Sequence, residues 1–132
     1  MLDQAKPATR QPLVLLVDGD ADSRLTLRTA LSDAGMEVIT ANDRAAGLIV
    51  ARCVSPDIVL LDVELPAVGS EDDARTIEEI GLQGDARVIA LARNPTADIR
   101  FDLQSDLFDQ VLIKPIDPRC LLEAVSEAAT LR

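Results

Sequence analysis

The sequence predicts an α/β fold, a doubly wound (βα)5 flavodoxin-like sandwich on a five-stranded parallel sheet. Three observations carry that prediction. Short apolar runs, Val14–Val17, Ile58–Leu61 and Val111–Ile113, alternate with stretches of helical periodicity. These runs are unbroken rather than alternating, as strands buried on both faces are. Each ends in charge: the first at Asp18, the second at Asp62 and the third at Lys114, which is followed by Pro115.

The elements follow in order. After the first strand, Asp20 or Asp22 can cap a helix over about 21–34, in which Leu27, Ala30, Leu31 and Ala34 recur at helical spacing and Gly35 supplies a left-handed stop. Met36–Thr40 reads as a second strand, and Asn42 as the cap of a helix running to Cys53. Ser55-Pro56 breaks the chain before the run into Asp62. A loop over Glu64–Ser70 leads to Glu71-Asp72-Asp73, which suits the positive end of a helix dipole better than a metal site. Arg87–Leu91 is strand four, Thr96–Ser105 a shorter and more polar helix, and Asp109–Ile113 strand five. Asp117-Pro118 opens a last helix with Leu121, Leu122, Val125 and Ala129 on one face. Right-handed crossovers place helices on both faces of the sheet, and 2-1-3-4-5 is the common strand order for five strands. That order sets strands one and three side by side.

At 132 residues, the chain is long enough to bury a core of its own as one domain over 11–132, with residues 1–10 expected as a disordered tail. It has 23 acidic against 13 basic residues and a net charge of −10, which argues against direct nucleic-acid binding and for a cation or a basic partner. The lack of histidine removes imidazole bases, histidine metal ligands and phosphohistidine, leaving carboxylate chemistry. Cys53 and Cys120 lack metal-ligand spacing and read as core thiols in a reducing compartment. No apolar stretch is long enough for a membrane span and the start lacks a signal-peptide core, so the expected location is the cytoplasm.

In parallel sheets, ligands collect at the carboxyl ends of strands. Asp18 and Asp62 would meet there, and two adjacent carboxylates call for a counterion. Magnesium prefers one or two carboxylates together with waters and phosphate oxygens, and Lys114 offers a point charge for a further phosphate oxygen. A carboxylate can also attack a phosphoryl group to give an aspartyl phosphate, for which Asp62 is the more central candidate.

The pieces Val14-Leu15-Leu16-Val17-Asp18-Gly19-Asp20, Asp57-Ile58-Val59-Leu60-Leu61-Asp62 with Pro66 beyond, and Leu112-Ile113-Lys114-Pro115 together resemble the CheY-like receiver domain of two-component response regulators, over residues 12–130. The resemblance implies that Asp62 is the phosphoacceptor and that Lys114 binds the phosphoryl group. It also implies that magnesium is held by Asp18, Asp62 and the backbone carbonyl of Glu64, and that the bond before Pro115 is cis. The donor would be a histidine kinase or phosphotransfer protein. The output would be a downstream protein or a self-dimer through the fourth helix, fifth strand and last helix. Enzymatic activity would be limited to self-phosphorylation from a phosphodonor and autodephosphorylation.

Three departures bear on that expectation. Gly19 replaces the second acid of the family's pair, which weakens the expected metal site and leaves Asp20 as a candidate substitute. Ala92 stands where a switch threonine or serine is usual, and Val111 where a switch aromatic is usual. Leu107 and Phe108 replace small residues before strand five. A degenerate receiver acting as a phosphorylation-independent interaction module is therefore the alternative. A third reading, a haloacid-dehalogenase-like phosphohydrolase using Asp18, rests on Asp18-Gly19-Asp20 but has Asp22 where that motif wants Thr or Val. The sequence shows no output domain after the last helix, as expected of a stand-alone receiver or of one cut from a larger regulator.

Overall fold

The computed structural model describes residues 11–62, 86–93 and 108–130. The expected tail over 1–10, Glu64, Pro66, the acidic helix start at Glu71, the helix over Thr96–Ser105 and Leu107 lie outside the described residues. Within them run β1 (Leu13–Val17), α1 (Ala21–Asp33), β2 (Glu37–Ala41), α2 (Arg44–Val54), β3 (Ile58–Asp62), β4 (Arg87–Ala92), β5 (Gln110–Ile113) and α3 (Pro118–Thr130). All four strand pairings are parallel, in the order β2-β1-β3-β4-β5.

The unbroken apolar runs are unbroken because both faces of the sheet are covered. Alternate residues of the central strands face opposite ways. Val14, Leu16, Ile58, Leu60, Ile89 and Leu91 pack with Leu27 and Leu31 of α1 and with Leu121, Ala124 and Val125 of α3. Leu15, Val17, Val59, Leu61 and Val88 pack on the other face, with Ala51 of α2. Every residue of β3 is buried, Asp62 at its end included.

The helix ends follow side-chain chemistry. Asp20 caps α1, its Oδ1 accepting the Asp22 N–H at 3.0 Å, and Gly35 at φ +93° ends the helix in the left-handed region. Helix α2 is capped by Asp43 rather than Asn42: Asp43 Oδ1 accepts the Ala46 N–H at 2.7 Å, the usual reach from a cap to the third helical residue. Gly47 lets α2 lie close on β1, since a Cβ there would stand 2.8 Å from Val17 Cγ2.

Three expectations need correction. The second strand starts and ends one residue later than its apolar pattern suggested. Cys53 and Cys120 are free and exposed rather than core thiols, because neither lies on the buried stripe of its helix: Cys53 is two residues past the buried Ala51, across the helix from it, and Cys120 is the neighbour of the buried Leu121. The buried face of α3 is Leu121, Ala124, Val125 and Ala128, so the sheet takes small residues at close approach while Leu122 and Ala129 pack at its margin.

Candidate functional site

Acidic residues occupy both edges of the sheet, and their partners differ between the two edges. At the amino edge, Asp57 Oδ2 accepts the Leu13 N–H at 2.8 Å and Asp109 Oδ2 accepts the Val88 N–H at 2.8 Å. These carboxylates satisfy strand N–H groups that the ladder leaves without partners. Asp57, although part of an expected motif, is therefore accounted for by structure.

The carboxyl edge differs. Val17 pairs with Leu61, so the next residues along, Asp18 just past β1 and Asp62 at the end of β3, stand side by side at this edge. Asp18 is still tied to β2 through its N–H, which donates to the Ala41 carbonyl at 3.0 Å. Its carboxylate is fully buried: Oδ1 accepts the Asp20 N–H at 3.0 Å, and Oδ2 accepts Ser23 Oγ at 2.7 Å and Lys114 Nζ at 2.9 Å. Burial pushes the Asp18 carboxyl up, but the bonds from Ser23, the Asp20 amide and Lys114, with the lysine's charge, outweigh it and hold the group below its ordinary range.

Lys114 continues β5, whose register with β4 pairs Ile113 with Ala92, and its N–H donates to the Ala92 carbonyl at 2.7 Å. Its side chain must cross the end of β4, where the residue is the small, fully buried Ala92. The ammonium then lies between the two carboxylates, 2.9 Å from Asp18 Oδ2 and 3.3 Å from Asp62 Oδ2. The following Lys114-Pro115 peptide is cis, as expected.

Three strand ends predicted to converge are thus joined by one cation. Among the described residues no group of three or more acidic, histidine or cysteine ligands surrounds a single point. The donor set that is present, two adjacent buried carboxylates, suits magnesium, which needs few protein ligands. Asp20, the candidate replacement for Gly19, has both oxygens engaged elsewhere: Oδ1 caps α1, and Oδ2 lies 3.7 Å from Arg93 Nη2. Val111 is half-buried against Ala90, Ala92 and Phe108, an inward-packing strand residue rather than a swinging one.

Sequence reading missed Ser23, Arg24 and Arg93. Ser23 reaches the Asp18 carboxylate from the first turn of α1, and Arg24 Nη1 donates to the Asp18 carbonyl at 2.7 Å. The clue was positional: residues in the first turn of a helix that follows a strand stand over that strand's end. A cleft of about 390 Å³ opens beside the cluster, with Asp20, Ser23, Thr26, Arg93, Lys114 and Ile116 among its lining residues.

Residues 14–126 match the response regulator receiver domain. The chain belongs to this family. As a receiver domain of two-component signalling, it is 30% identical over 117 residues to the DNA-binding response regulator MtrA of Mycobacterium tuberculosis, spanning 89% of this chain and 50% of that protein. It is 29% identical over 121 residues to the sensor protein GacS of Pseudomonas syringae, spanning 89% of this chain and 13% of that protein. The receiver therefore spans about half, or far less, of the length of such relatives. Its fold superposes on a CheY-like receiver domain protein from Methanospirillum hungatei with a TM-score of 0.82 at 22% identity, covering 92% of this chain and 96% of that one. Against the chemotaxis protein CheY4 of Vibrio cholerae the TM-score is 0.77 at 23% identity, covering 90% and 99%. Among the described residues no helix is long and apolar enough to cross a membrane.

Proposed function

We propose that Asp62 of this receiver accepts a phosphoryl group from the phosphohistidine of a cytoplasmic histidine kinase or phosphotransfer protein. The observation that carries the reading is the single lysine ammonium shared by Asp18 and Asp62 at the carboxyl edge of the sheet. An Asp62 carboxylate oxygen attacks phosphorus, the phosphorus–nitrogen bond breaks, and its electron pair stays on the donor imidazole. Lys114 offsets the charge that spreads over the equatorial oxygens. Asp18 holds that ammonium in place, and Ser23 and the Asp20 amide fix Asp18 in turn. Magnesium, held by Asp18 and Asp62, would neutralise phosphoryl charge, with Gly19 leaving its site one carboxylate poorer. The chain's own catalysis is confined to acquiring and shedding this phosphoryl group, and its output passes through protein contacts.

A second reading, an interaction module that needs no phosphorylation, is favoured by Ala92: it is fully buried and offers a methyl where the family's switch offers a hydroxyl. The hydrolase reading requires Asp18 to be the nucleophile. A fully buried carboxylate with both oxygens already accepting hydrogen bonds does not suit attack on an ester.

Intact-mass spectrometry after incubation with acetyl phosphate and magnesium separates the three. Gain of one phosphoryl group by the wild type and not by Asp62→Asn supports the receiver. No gain at millimolar magnesium leaves the interaction module. Turnover of a phosphate ester that survives Asp62→Asn and is lost in Asp18→Asn would overturn both.

A further inference from the structure

We propose that Arg93 is a phosphoryl-binding residue of this site, held on Asp20 until a phosphoryl group arrives on Asp62. The proposal rests on the phosphoacceptor reading above. Its basis is position, charge and chemistry together. Arg93 directly follows Ala92 at the carboxyl end of β4, the strand that lies between Asp62 on β3 and Lys114 after β5. Ala92 itself has no donor to give, so the next residue along is the first that can supply one from this strand.

The charges at this edge leave room for a second cation. Lys114 is already divided between Asp18 and Asp62, and Asp20 stands close by. Phosphorylation replaces the single charge of Asp62 with a group carrying nearly two. Among the described residues Arg93 is the other cation lining the cleft, and its side chain is 61% exposed against 43% for Asp20, at a separation of 3.7 Å. An exposed ion pair at that distance holds weakly, so a stronger acceptor competes with Asp20 for the guanidinium. A phosphoryl group is such an acceptor, since its oxygens match the guanidinium fork in a bidentate contact. The cleft beside Ser23, Thr26 and Lys114 gives the side chain space to move.

The exchange has a second consequence. When Arg93 leaves, Asp20 Oδ2 is released beside Asp18, and a carboxylate becomes available to a divalent cation where Gly19 offers none. Phosphoryl binding and cation binding then support each other, while in the resting state Arg93 competes with the cation for Asp20.

The test is a fluorine NMR titration of beryllofluoride in saturating magnesium, with a separate calorimetric titration of magnesium alone, on wild type, Arg93→Ala, Arg93→Gln, Arg93→Lys and Asp62→Asn. Arg93→Ala and Arg93→Gln should weaken beryllofluoride binding by about tenfold or more. Arg93→Lys should recover part of that loss. Magnesium alone should bind the two neutral variants as tightly as wild type or more tightly. Beryllofluoride affinity in both neutral variants within about twofold of wild type would overturn the proposal. Loss of magnesium binding by both would also overturn it, because Arg93 would then be holding the site together. No beryllofluoride binding by wild type would remove the phosphoacceptor reading, and Arg93 with it; binding that is lost in Asp62→Asn but unaffected at Arg93 would remove Arg93 alone.

Discussion

Replacing Lys114 with methionine keeps most of the side-chain volume and removes the one charge that Asp18 and Asp62 share. The Lys114 side chain is 9% exposed and those of its partners 0% and 11%, so little solvent is at hand to take its place. Each contact, at 2.9 and 3.3 Å, corresponds to roughly 5 kcal/mol of gross attraction at an effective dielectric of about 20, most of it offset by desolvation. Removing one partner of a buried pair leaves the desolvation in place and typically costs about 3–5 kcal/mol. Here Ser23 and the Asp20 amide still hold Asp18, which sets the expected loss for Lys114→Met at the lower end, about 3 kcal/mol. Asp62→Asn should behave oppositely, raising stability by about 0.5–2 kcal/mol, since one lysine then serves one buried carboxylate. The double variant should recover at least about 1 kcal/mol of the lysine loss through coupling of the two sites. Urea unfolding at pH 7 followed by circular dichroism measures all three, with no tryptophan needed. A Lys114→Met variant within about 0.5 kcal/mol of wild type would refute the argument, as would an Asp62→Asn that destabilises by more than about 1 kcal/mol.

Acid titration tests Asp18 directly. Its carboxyl is held below the ordinary 3.8, so its contribution is present above that value and lost as pH falls through the lower folded value. Asp18→Asn should therefore be less stable than wild type at neutral pH and should lose less stability below about pH 4, read from urea midpoints across the range. Gly47→Ala should destabilise by about 1–2 kcal/mol, because overpacking against Val17 Cγ2 at 2.8 Å outweighs the helix-propensity gain. Combining it with Val17→Ala should cost less than the sum of the two, by about 1 kcal/mol, in thermal melts. Gly19→Asp should raise magnesium affinity by about tenfold, measured by calorimetry, since an added charged ligand is the main lever on such sites.

Much of this was legible in the sequence because the signals were local and redundant. Runs such as Ile58–Leu61 are buried on both faces, and each terminal charge could be placed at the edge without knowing the loops. That Asp18 and Lys114, 96 residues apart, share one edge followed from topology, once five βα units imply which strand ends adjoin; their direct contact did not. What escaped was angular detail on the helices. Whether Cys53 or Cys120 faces in or out depends on a rotation of one residue, which periodicity does not resolve when alanine fills both sides of the stripe. The cap of α2 likewise turned on a choice between adjacent Asn42 and Asp43, both good caps. Arg93 escaped because nothing in a lone arginine after a strand announces that its guanidinium folds back over the edge.

The departures from the family pattern do not fall at random with respect to the chemistry. Asp18, Asp62 and Lys114, which acceptance of a phosphoryl group requires, are together and mutually bonded. Ala92 and Val111, where the family pattern places its switch residues, instead form part of a small apolar cluster with Ala90 and Phe108. A hydroxyl at Ala92 would contribute about 1.5–3 kcal/mol to a phosphorylated state, against the roughly 5.5 kcal/mol needed to carry a two-state element from one per cent to ninety-nine. Without it, the apolar end of β4 offers no side-chain hydroxyl to draw toward the phosphate. On the proposed reading, acceptance and response depend on different residues of this chain. On the same reading, coupling between them runs through groups that change partner on phosphorylation, and among the described residues just past β4 that group is Arg93, next to Ala92, with its ion pair to Asp20.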